Sequence, residues 1–138
     1  MGRAEIVKAW NQAWSRGDTE KAFSLLSDDV VDHDIPVGRK FKGKKAMTRY
    51  WGAFAEAFPG YAVKNLRLHE AGRFVISEQL WTGIHRKRFP YWTNARPTNK
   101  KILFRIALFY EVSGDKIRSI TEYYDRACIL RQIGLLKR

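Results

Sequence analysis

The sequence predicts an α+β domain, with helices gathered first and a long antiparallel meander after them. Two observations carry this. Up to Phe58, the longest apolar patterns recur at spacings of three and four, as on one face of a helix. After Pro59-Gly60 the pattern changes to segments rich in aromatic and β-branched residues, divided by turn signals at Ala71-Gly72-Arg73 and Ser113-Gly114-Asp115. A strongly curved sheet wrapped around a long helix would make a cone with an apolar pocket. With 138 residues, 45% of them hydrophobic, the chain is expected to form one domain over 1–138 with its own core.

The elements follow in order. Ile6, Trp10, Ala13 and Trp14 give residues 3–16 an amphipathic helical face. Gly17-Asp18 ends that helix, and Asp18 can cap a second one running to about Ser27. A short strand, Val30 to Asp34, stops at Pro36, and Gly38–Lys45 reads as a basic loop. A third helix, from about Lys44 to Ala57, carries the stripe Met47, Tyr50, Trp51, Phe54 and Phe58. Four strands are expected at 61–70, 74–85, 101–112 and 116–125, with a long basic and aromatic loop over 86–100. A terminal helix follows Asp125.

Composition narrows the classes of function. Twenty-six Lys and Arg against fourteen Asp and Glu give a net charge of +12, which favours anionic partners. A solvated surface is the plainer reading, and nucleic acid is disfavoured because no binding motif for it accompanies the charge. No apolar run approaches the ~20 residues of a membrane span, and the charged start MGRAEIVKAW does not read as a signal peptide. Cys128 is the only cysteine, so no intrachain disulfide is possible. A cytoplasmic location is therefore expected.

Asp125 is the first candidate for chemistry. It stands at the end of an aromatic strand, with Tyr123 to shield it, where burial can raise a carboxyl pKa into the range useful for proton transfer. It can also simply cap the terminal helix, and the two roles are compatible. His33, between Asp32 and Asp34, either faces the cavity or makes a strand-end hydrogen bond. His85 shares a face with Trp81 and either binds a carbonyl or faces solvent. Glu122 alternates away from Asp125, which gives little support to a paired carboxylate at that point. Trp14, Trp51, Phe54, Phe58, Trp81 and Phe104 are expected as core and, in a hollow cone, as substrate-binding wall; Tyr123 joins them, and Arg86 stands at the mouth. No metal-ligand spacing, phosphate loop or nucleophile elbow is present, so neither metal nor cofactor is expected.

Six motifs in order then resemble the SnoaL-like polyketide cyclase group of the nuclear-transport-factor-2-like superfamily. They are Val31-Asp32-His33, Glu56-Ala-Phe-Pro-Gly60, Trp81-Thr-Gly-Ile-His85, Pro97-Thr-Asn-Lys-Lys-Ile102, Gly114–Ile117, and Asp125 followed by Leu130-Arg-Gln-Ile-Gly134. The resemblance implies a cone-shaped α+β barrel, usually dimeric, with a cofactor-free site. It implies Asp125 as general acid/base of an aldol-type ring closure or related proton transfer, with His33 and His85 orienting a small apolar or weakly acidic substrate. The alternative on the same fold is a non-catalytic ligand-binding or dimerisation module.

Overall fold

The computed structural model describes residues 2–136. Helix α1 (Arg3–Ser15) and the short α2 (Thr19–Ser24) form the opening hairpin. Asp18 caps α2 as expected, accepting from the Lys21 N–H at 3.1 Å. Strand β1 (Leu26–Asp34) is longer than expected, because Leu26 already bonds across to the strand that ends the chain's sheet. The basic loop after it contains a strand, β2 (Arg39–Lys42), paired antiparallel with β1. Only Phe41 of β2 turns inward, so its basic residues can stay in water while the backbone pairs.

Helix α3 spans Lys44–Ala57, as its apolar stripe predicts. Met47, Tyr50, Trp51, Phe54 and the C-terminal Phe58 are all buried. The remaining strands are β3 (Ala62–Ala71), β4 (Phe74–Ile84), β5 (Lys101–Ser113) and β6 (Lys116–Tyr124), followed by α4 (Arg126–Gln132). They make one six-stranded sheet in the order β2-β1-β6-β5-β4-β3. Its pairs are antiparallel except β1 with β6, which run parallel. Sequence alternation says nothing about which distant strand a segment joins, and here the last strand returns beside the first.

The curved, unclosed sheet holds α1 and α3 against one face. On β4 the inward residues are Val75, Ser77, Gln79, Trp81 and Gly83, leading to His85 just beyond the strand. Gly83 is needed at that point: a Cβ would lie 3.1 Å from the Cβ of Phe58, so the end of α3 rests directly on the strand. Aromatic rings fill the space between. Trp51 meets Trp10 edge-on at 5.2 Å and Trp14 at 4.8 Å, and Phe54 meets Trp81 at 5.2 Å. Such pairs contribute about 0.5–1.5 kcal/mol each beyond the area they bury.

Candidate functional site

Three carboxyl groups lie inside the cone, and strand alternation puts them there. On β1 the inward residues are Val30, Asp32 and Asp34, while Val31 and His33 turn to the other face. On β6 the inward residues are Ile120 and Glu122, with Tyr124 beyond them. The parallel register sets Asp34 beside Glu122 and Asp32 beside Ile120. Asp32 and Asp34 are fully buried, and Glu122 is 5% exposed.

Their surroundings differ. Asp34 is well served: the Tyr50 hydroxyl donates to Oδ2, the Tyr124 hydroxyl donates to the same oxygen at 2.7 Å, and the Val37 N–H donates to Oδ1 at 3.1 Å. Burial pushes its pKa up, and these donors with the charge of Arg126 hold the rise back. Asp32 lacks such donors. Trp51 lies beside it without completing a hydrogen bond, so both Asp32 oxygens and Trp51 Nε1 are left without partners among the described residues. Burial, with the charge of Asp34 adding to it, pushes Asp32 up to about 7, while the neighbouring Glu122 carboxyl holds the rise back. Burial raises Glu122 well above the usual carboxylate range, and the charge of Asp32 raises it further. Two carboxyls that act on one another in this way titrate as a pair.

Glu122 and Tyr124 form the polar end of an aromatic cavity. Tyr50, Trp51 and Phe54 come from α3, Trp81 from β4, Phe104 and Ile106 from β5. Phe89 and Trp92 come from the long loop between β4 and β5. Its volume is about 20 Å³, room for about one water. Trp92 Nε1 donates to the Tyr124 hydroxyl at 2.8 Å, which in turn donates to Asp34.

The residues singled out in the sequence divide between this cavity and other places. Trp51, Phe54, Trp81 and Phe104 line it. Trp14 and Phe58 are buried behind it, Trp14 stacked on Tyr61 and Phe58 stacked on His85. The burial expected for Asp125 is corrected: the residue is exposed, and its Oδ1 accepts from the Cys128 N–H at 2.9 Å as the N-cap of α4. Strand β6 ends one residue before it. Tyr123 is also outside, 46% exposed on the far face of the sheet against Phe109, because its inward neighbour is Glu122. His33 is half-buried on the face opposite Asp32 and Asp34.

His85 is fully buried, so the solvent-facing alternative is ruled out. Its Nδ1 accepts from the Thr98 N–H at 3.2 Å, which places the ring proton on Nε2, and Nε2 has no partner among the described residues. Burial lowers its pKa, so the ring is neutral. It anchors the loop rather than lining the cavity. Arg86 is exposed and donates to Asn99 Oδ1 at 3.1 Å. The alternation around His33 was the signal for Asp32 and Asp34, since the buried Val30 fixes which face is inward. No group of three or more His, Cys, Asp or Glu among the described residues could hold a metal ion.

Comparison with known proteins agrees with this architecture. Among solved structures, IdmH from Streptomyces antibioticus, a candidate polyketide cyclase, superposes with a TM-score of 0.80 at 18% identity, over 97% of this chain and 99% of that one. A candidate SnoaL-like polyketide cyclase from Jannaschia sp. CCS1 gives 0.84 at 12% identity, over 98% and 93%. An LEH-like epoxide hydrolase from M. tuberculosis gives 0.73 at 18% identity, over 95% and 88%. At these identities the likeness is one of fold. No curated protein matches the chain. The family model described as SnoaL-like polyketide cyclase matches residues 4–133, nearly the whole length. The chain belongs to the SnoaL-like polyketide cyclase family.

Proposed function

We propose that the protein is a small-molecule enzyme of the cyclase or isomerase type, working by general acid/base catalysis without a cofactor. One observation carries the reading: of a buried carboxyl pair, Asp32 and Glu122, the glutamate lines an aromatic cavity. A base that titrates near neutrality can take a carbon-bound proton and return one to an oxygen. Glu122, which lines the cavity, is the residue that meets substrate in this reading; Asp32 sets its charge. Tyr124 lines the cavity with it, its hydroxyl donating to Asp34. In this assignment Asp125 is left as a helix cap. The substrate in this reading is a small and largely apolar molecule, and a weakly acidic one enters in its neutral form, since an anion would meet Asp34 and Glu122. We also assign the protein to the cytoplasm. No helix among the described residues is long and apolar enough to cross a membrane.

The test is exchange of the methyl protons of acetophenone in D2O, followed by proton NMR. The native protein is expected to accelerate exchange, and Glu122→Gln to lower the rate by about 10²–10⁴ while the fold persists. Unchanged exchange in that variant would remove Glu122 from the chemistry.

A specific observation favours the second reading, a ligand-binding or dimerisation module. The outer face of the sheet exposes Leu103, Phe109 and Tyr123, which suits a homodimer contact. Sedimentation tests the dimer independently of catalysis. No acceleration for any small carbonyl compound would favour the module.

A further inference from the structure

The interior acids are not balanced by interior bases. The groups facing Glu122 are Asp32 and Asp34 from β1, Tyr124 from its own strand, Tyr50 from α3 and Tyr110 from β5. Arg126 of α4 acts on Asp34, and no other basic side chain among the described residues acts on the three acids. Glu122 is 5% exposed, lines the cavity, and its Oε2 has no hydrogen-bond partner among the described residues. Both Asp32 oxygens behind it are likewise unpartnered. Buried acceptors in that state are costly, so a ligand that brings donors would recover that cost.

The rest of the wall is aromatic. The indoles of Trp51, Trp81 and Trp92 and the rings of Phe54 and Phe104 line the cavity with the acid. Aromatic faces attract a cation, most strongly when water is excluded. A wall of rings with one unpartnered carboxyl suits a group that is positively charged, carries N–H donors and is clothed in alkyl carbons. An anion would find one unpartnered donor, Trp51 Nε1, but would meet the charge of the acids, and a neutral alcohol satisfies fewer of the acceptors.

We propose that the cavity selects a small protonated amine, an alkylammonium group whose N–H donors meet Glu122 and whose alkyl part lies against the tryptophans. This deepens the acid/base reading of the same site and rests on it for the role of Glu122. The chain's net charge of +12 does not oppose it. The basic clusters flanking the loop are exposed, and salt screens exposed charges beyond ~8 Å at physiological strength. The interior acids are screened far less. The cavity is smaller than such a ligand, so the loop carrying Phe89 and Trp92 must shift outward on binding.

Three probes of one shape separate the possibilities: tert-butylammonium, tert-butanol and pivalate. Binding to the intact protein is measured by titration calorimetry and by tryptophan fluorescence at pH 8 and pH 6. At pH 8 tert-butylammonium is expected to bind about tenfold or more tightly than tert-butanol, and pivalate most weakly. The cation should weaken at pH 6, as the carboxyl pair takes up its proton, while tert-butanol should not change. Glu122→Gln should remove most of the preference for the cation and leave the alcohol alone. Equal binding of cation and alcohol, tighter binding of pivalate, or no binding of the cation would each overturn the proposal. The wild-type comparison needs no variant to fold. If the preference fails while Glu122→Gln still abolishes proton exchange, only this proposal falls. If the cation binds and exchange never depends on Glu122, the acid/base reading falls instead.

Discussion

The substitution Asp32→Asn should reverse part of the pH dependence of stability. In the folded protein the Asp32 pKa rises from 3.8 to about 7, first through burial and then through the charge of Asp34. Below about pH 4 the carboxyl is protonated folded or unfolded, and it costs nothing extra. Between about pH 4 and 7 the unfolded chain loses the proton while the folded chain keeps it, so stability falls as pH rises. The shift is about three units, and each is worth about 1.4 kcal/mol, so the penalty reaches about 4 kcal/mol above pH 7. The amide introduced by the substitution has no charge to lose. Its NH2 can also donate to Glu122, whose Oε2 has no partner among the described residues. Urea unfolding of both proteins at pH 4, 6 and 8, followed by tryptophan fluorescence, checks this. The stability of the variant relative to the native protein should rise by about 4 kcal/mol from pH 4 to pH 8. Groups that Asp32 does not act on cancel in that difference; Glu122 does not, because losing the Asp32 charge also lowers its pKa, which adds to the rise in the same direction. A difference constant within about 1 kcal/mol across the range would show that Asp32 ionises freely, and the paired titration would be lost with it.

Asp125→Ala should cost about 1 kcal/mol by thermal unfolding, the usual loss of a helix cap, and leave proton exchange unchanged. Phe54→Ala should cost about 3–5 kcal/mol, since the ring is 5% exposed and packs against Trp81, Phe58 and Trp92; urea unfolding measures it. Neutralising Arg86, Lys87 and Arg88 together should leave binding of tert-butanol within about twofold in the same calorimetric titration, because all three are exposed and none lines the cavity.

The helix α3 was fully legible because five apolar residues at spacings of three and four admit one reading. The strands β4 and β5 were equally clear from alternation. The parallel join of β1 to β6 was not, since it depends on contacts between residues far apart in the chain, such as Asp34 and Glu122. The site suffered from that gap. Asp125 drew attention because it ends a strand, but one residue of extra helix turns it into a cap. His33 drew attention as a histidine, and alternation set it opposite the two aspartates; with Val30 and Val31 adjacent, only the burial of Val30 shows that the aspartates face inward. Glu122 could be excluded as a partner for Asp125 on alternation alone, and the two do point apart. Its true neighbour lies on β1, and only the fold brings the two together.

The loop from His85 to Lys100 decides whether this site can work. Its ends are held firmly: the Lys100 carbonyl accepts from the His85 N–H at 3.0 Å, and the Ala57 carbonyl accepts from the Arg86 N–H at 2.9 Å. Neutral His85, stacked on Phe58, accepts from Thr98 and fixes the returning strand. The middle is held differently. Phe89 and Trp92 rest on Phe54 and Phe58 by ring contact, and the Trp92 indole makes one polar contact to Tyr124. Ring contacts can slide, so opening the middle costs the one Trp92–Tyr124 bond, whereas opening the anchored ends would unpair backbone groups. Opening should therefore occur at residues 89–92 and stop at the ends. The Trp92–Tyr124 bond gives closure a chemical consequence, because a hydroxyl that accepts a hydrogen bond donates a stronger one. With the loop down, Tyr124 donates more strongly to Asp34 and favours its charged form. That charge is one of the causes holding the Asp32 pKa near neutrality. Trp92→Phe keeps the apolar cover and deletes the link. It should lower the pKa of the Asp32–Glu122 pair, read as an acid-ward shift in the pH profile of proton exchange. An unshifted profile at unchanged fold would mean that the loop only covers the cavity.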